Sequence, residues 1–77
     1  MNFREYYKSL DVAGRREYAR KVGLSPTYIY CHLVADPPNR VPPLGTIKRM
    51  ADATDGVLTF EDMIEYFLEA ERARGAA

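Results

Sequence analysis

Apolar residues recur along this chain at helical spacing. Phe3, Tyr6, Tyr7 and Leu10 share one face of residues 2–10, with Arg4, Glu5, Lys8 and Ser9 outside. Val12, Tyr18, Ala19 and Val22 mark a second helix, capped by Asp11, and a third runs from Pro26 to about Leu33. Residues 36–43 hold two proline pairs, which forbid helix through most of that stretch and predict a rigid extended loop. Leu44, Ile47, Met50 and Ala51 then define a fourth helix, opened by Pro43 and ending near Thr54 before Gly56, with Lys48 and Arg49 pointing outward. Phe60, Met63, Ile64, Phe67 and Leu68 stripe a fifth. Thr59 and Asp62 at its entry resemble a capping box, and Leu58 and Met63 fit a hydrophobic staple. The pattern predicts five helices and no strands.

The junction between the second and third helices is the most specific part of the pattern. Ala19 is small enough to let a neighbouring helix come close, and Gly23 is the residue type that ends a helix in a left-handed conformation without a Cβ penalty. Ser25 is a good N-cap, and Pro26 suits the first helical position, where its missing N–H is not needed. Ile29 then points back towards Ala19 and closes the pair. Together these positions form the signature of a helix-turn-helix.

Composition narrows the setting. A chain of 77 residues buries only about 60% of its unfolded surface. It therefore needs a compact helical core or a partner. Residues 1–71 are expected to form a single domain, with residues 72–77 as a frayed tail. Cys31 is the sole cysteine, so no disulfide framework and no thiolate metal cluster is expected, and a cytoplasmic location follows. The longest apolar run, Tyr28 to Cys31, is far short of a membrane span. Neighbouring Cys31 and His32 would point about 100° apart on a helix and make no nucleophile pair. His32 is expected to pack, half-buried, against the helix. With no carboxylate pair, nucleophile triad, metal spacing or phosphate loop, the chain is not expected to be an enzyme or to carry a cofactor or metal.

The formal net charge is zero, but it is divided unevenly. Residues 1–49 hold nine basic side chains against four acidic ones, and residues 50–77 two against seven. One basic face and one acidic helix are expected, and a local basic face is what meets a phosphate backbone.

The spacing Ala19, Gly23, Ile29, set on the second and third of five helices, resembles the lambda-repressor-like class, which contains the phage Cro and CI repressors and the xenobiotic-response-element type regulators. The segment from Thr46 to Gly56 is similar to the fourth helix and glycine stop of small prophage regulators and Cro-like antitoxins. The resemblance covers most of residues 3–68. The chain departs from it at His32, where the family usually has an apolar residue, and in a longer loop after the third helix.

The resemblance implies an all-α, compact five-helix DNA-binding domain whose third helix enters the major groove of double-stranded DNA. Ser25, Thr27, Tyr28, Tyr30 and Cys31 would then face bases. Thr27 is the foremost reader, offering a hydroxyl and a methyl, and Tyr30 would add an edge contact or pack on a thymine methyl. Arg15 resembles the family's backbone-contacting position, and Arg16, Arg20, Lys21, Asn39, Arg40 and Lys48 are further phosphate candidates. The wide stripe of the fifth helix, Phe60, Met63, Tyr66 and Phe67 above all, predicts a homodimer on a palindromic site. The implied function is a transcriptional repressor of phage or prophage type that acts by promoter occlusion. The alternative is an antitoxin or interaction module whose acidic C-terminal helix binds a partner protein.

Overall fold

The computed structural model describes residues 1–75, apart from the side chain of Arg74. They form α1 (Phe3–Ser9), α2 (Val12–Val22), α3 (Pro26–Tyr28), which runs on into a π-helical turn (Ile29–Leu33), α4 (Leu44–Asp52) and α5 (Phe60–Gly75). There is no strand among the described residues.

Local chemistry accounts for most helix ends. Asp11 Oδ1 accepts from Gly14 N–H (2.7 Å) and Ser25 Oγ from Tyr28 N–H (3.0 Å), each satisfying an N–H that the first turn leaves without a helical partner. Thr59 and Asp62 close the reciprocal box at the start of α5, Thr59 N–H donating to Asp62 Oδ2 (2.9 Å) and Asp62 N–H to Thr59 Oγ1 (3.1 Å). These two bonds hold the Asp62 carboxyl below the usual carboxylate range. A second box, between Asn2 and Glu5, opens α1. Gly23 ends α2 at φ +86°, with its N–H and that of Leu24 both returning to Ala19 O.

The core has an aromatic end and an aliphatic end. Phe3, Tyr7, Tyr18 and Tyr66 form the first, Phe3 lying about 6 Å from each of the other three rings, at 6.1, 6.0 and 5.8 Å. Ile29, Leu33, Ile47, Met50 and Met63 form the second, none more than 1% exposed. Full burial of such a side chain contributes roughly 1.5–3 kcal/mol. Thr54, polar and buried beside this core, donates to Ala51 O (2.7 Å) and accepts from Leu58 N–H (3.0 Å).

Three sequence expectations are corrected. Val12 and Leu44 do not face the core: they are 64% and 66% exposed, because each sits at the first position of its helix, before that helix meets its neighbours. Arg4 is not an outward residue, as described below. α5 is helical to Gly75, with Arg72 paired to Glu69 one turn earlier (2.6 Å) and reaching Glu65 (3.5 Å); residues 76 and 77 of the expected tail lie outside the described residues.

The last turn of the helix that α3 begins is π-helical. Val34 N–H bonds to Ile29 O (2.9 Å), five residues back, so Ile29, Leu33 and Val34 all reach the interior. His32 is left half-buried at the edge, its Nδ1 hydrogen-bonded to Asn39 Oδ1 (2.8 Å) and its ring 5.0 Å from that of Tyr28. Asn39 N–H also donates to His32 O (3.0 Å), so the proline-rich loop folds back onto the end of the helix.

Candidate nucleic-acid interface

The continuous helix made by α3 and its π-helical turn, Pro26 to Leu33 and written α3 from here on, divides into an inner and an outer face. Ile29 and Leu33 are fully buried, whereas Ser25, Pro26, Thr27, Tyr30 and Cys31 are exposed and Tyr28 is half-buried. Ser25 is occupied as the helix cap, and Tyr28 packs against His32. The side chains left outside with no such structural task are Thr27, Tyr30 and Cys31. Tyr30 is 58% exposed, a large aromatic surface for a helix in so small a chain.

Beside this face lies a shallow cleft of about 290 Å³, formed by α3 and the start of α2 and lined by Val12, Arg16, Pro26, Thr27, Tyr30 and Cys31, among others. A second, on the other side of Tyr30 and Cys31, brings in Arg4 and Lys8. Lys8 was not singled out from the sequence. Only the packing of α1 beside α3 brings it here, and its position on α1 carries no sign of that.

The seven phosphate candidates separate by what already holds them. Arg20 is bound to Glu17 through both nitrogens of its fork, and this bond lowers the Glu17 carboxyl pKa. Lys21 faces Asp55 at 3.7 Å and Lys48 meets Asp52 at 2.8 Å. Exposed pairs of this kind contribute little to stability, but each cancels a positive charge locally. Arg15 donates to Tyr7 O and Lys8 O, both at 3.2 Å, and lies over the Tyr7 ring, bracing the end of α1. Asn39 is committed to His32, and Arg40 reaches back to Asn39 O (3.0 Å) without a carboxylate partner. Arg16 is exposed and has no acidic partner among the described residues. Among the described residues, the cations of the first 49 positions without a carboxylate partner are therefore Lys8, Arg15 and Arg16 near α3, Arg40 on the loop, and Arg49, which donates to Val22 O at the end of α2 and to Thr46 Oγ1.

Two residues far away in sequence hold α3 at its C-terminal end. Arg4 Nε donates to Val34 O and its Nη2 to Ala35 O, both at 2.8 Å, and Nη2 lies 3.5 Å from Asp36. Tyr66 Oη donates to Leu33 O (2.6 Å), with the Arg4 guanidinium 5.5 Å above its ring. These bonds satisfy carbonyls that the end of a helix leaves without partners.

The dimer surface expected on α5 is corrected. Met63, Phe67 and Tyr66 are 0%, 2% and 8% exposed, and Phe60 is half-buried. They complete the core against α4 and α1 and offer no face to a second copy. What α5 leaves exposed is Leu68, in a groove shared with Val41 and Leu44.

Among the described residues there is no group of three or more His, Cys, Asp or Glu side chains able to hold a metal ion, and no helix is long and apolar enough to cross a membrane. The chain matches no protein-family model, no characterised protein and no solved structure.

Proposed function

We propose that this protein binds double-stranded DNA in a sequence-specific manner, with α2 and α3 acting as a helix-turn-helix, and that it is a transcriptional repressor of phage or prophage type working by promoter occlusion. The observation that carries this reading is the division of α3: Ile29 and Leu33 wholly inside, Thr27, Tyr30 and Cys31 outside, and Arg16 and Lys8 on the clefts beside them. An inner face that fixes the helix and an outer face with no internal role suit a helix that reads a groove while neighbouring cations hold phosphates. Arg4 and Tyr66 support the reading by bracing the far end of that helix.

The test is selection from a random duplex pool at about 150 mM salt, where nonspecific phosphate binding is already weakened. Enrichment of a common motif, lost when Thr27, Tyr30 and Arg16 are all changed to alanine in a chain that keeps its helical spectrum, is the expected result. A pool with no enriched motif would sink the proposal. It would favour the second reading, an interaction module such as an antitoxin, for which the exposed carboxylates Glu61, Glu65, Glu69 and Glu71 along α5 are the supporting observation.

A further inference from the structure

We infer that the reader is not α3 alone but the cleft between α3 and the first turn of α2, and that what it recognises is the C5-methyl group of thymine. The inference rests on the DNA-binding reading above and adds to it the base and the chemistry of its recognition. Two large apolar side chains stand out in water near α3, Val12 at 64% and Tyr30 at 58%, and both line the same cleft, with Pro26 and the Thr27 side chain between the helices.

The major-groove edges of the four bases narrow the choice. Guanine, adenine and cytosine present only hydrogen-bonding groups there, and thymine alone presents a methyl beside a single acceptor, O4. The outer face of α3 carries no Arg, Lys, Asn or Gln, the residues that pair bidentately with guanine or adenine, and no Asp or Glu for cytosine; of the two arginines that line the cleft from α2, Arg15 is tied to Tyr7 O and Lys8 O. The cleft presents instead the Val12 side chain from α2, the rings of Tyr30 and Pro26, and the hydroxyls of Thr27 and Tyr30. That set matches an apolar methyl with one acceptor next to it, the Thr27 hydroxyl being the donor. Arg16, exposed on the rim of the cleft, supplies the charge complementary to the adjoining phosphate.

The experiment compares the duplex enriched from the random pool with the same duplex carrying deoxyuridine in place of every thymine, which removes the methyls and leaves every hydrogen-bonding edge intact. The wild-type chain is expected to bind the uridine duplex about fourfold more weakly for each methyl it contacts. The Val12→Ala/Tyr30→Ala variant, whose two sites are on the surface, is expected to bind both duplexes within twofold of each other. Equal binding of the two duplexes by the wild-type chain overturns the inference and leaves DNA binding standing. Full discrimination retained by the double variant also overturns it, by placing the reader elsewhere. Absence of any enriched duplex overturns the DNA-binding reading, and the inference with it. The wild-type comparison is made by a change in the DNA alone, and the variant is compared only where its circular dichroism spectrum matches that of the wild-type chain.

Discussion

α3 and α5 both carry surfaces that the sequence marks for recognition, and they differ in what lies in front of them. α5 packs along α4 and reaches α1, where the Tyr66 ring stands 5.8 Å from Phe3 and 5.0 Å from Phe67. Its stripe is absorbed, leaving Leu68 exposed and Phe60 and Ile64 at the edge. α3 gives Ile29 and Leu33 to the interior and has only the start of α2 and the end of α1 beside its outer face. The difference teaches that a broad apolar stripe states how much cover a helix needs, and is silent on whether the cover comes from the same chain or another.

The largest effect expected from breaking this comparison is on stability. Phe67→Ala should cost about 3–5 kcal/mol, most of what a domain of this size holds. Thr27→Ala on the outer face of α3 should stay within about 0.5 kcal/mol. Denaturant unfolding followed by circular dichroism measures both. If Phe67→Ala instead kept wild-type stability while changing the sedimenting mass, Phe67 would return to an interface between copies.

The link between the two helices is sharpened by pH. Burial pushes the Tyr66 hydroxyl up to about 12 and raises that of Tyr18 as well. A folded-state value above the unfolded one, near 10, means that this contribution to stability is complete below pH 10 and is lost as pH rises from 10 towards 12. Alkaline unfolding in that window is expected. Tyr66→Phe should flatten it, and should cost about 1–3 kcal/mol at neutral pH because Leu33 O loses its donor. Wild-type stability at neutral pH in Tyr66→Phe would show that the bond does not brace α3.

The smallest effect separates two arginines on α2. Arg16→Ala should weaken DNA binding and reduce the log-log salt slope by about 0.9, the share of one phosphate. Arg20→Ala should reduce it less, because Glu17 already holds that guanidinium. Anisotropy titrations across a salt series measure both slopes, and equal reductions would mean that the ion pair on α2 opens for a phosphate at no cost.

Much of this was legible because it depends on near neighbours. The cap at Ser25, the left-handed stop at Gly23 and the box between Thr59 and Asp62 each join residues within a turn, so residue type and spacing are sufficient to find them. The box between Asn2 and Glu5 had the same kind of signal, an asparagine three residues before a glutamate, and could have been read. Arg4 could not. Its partners lie 30 and 31 residues away, and its place on α1 matches that of any solvated arginine. The same holds for the ion pair of Lys21 with Asp55, 34 positions apart, which neutralises a charge that the count along the chain had assigned to a basic face.

The sequence by itself determined the number of helices, where most of them begin, and which residue closes the turn between α2 and α3, because these follow from backbone preference and local hydrogen bonding. Only the tertiary structure decided which of two broad apolar stripes would be buried, which cations would be left without partners, and how the helix would wind after Tyr28. Those outcomes depend on the volume to be filled between helices: winding the last turn of α3 as a π-helix lets Ile29, Leu33 and Val34 fill it together, and no spacing rule applied to α3 alone specifies that space.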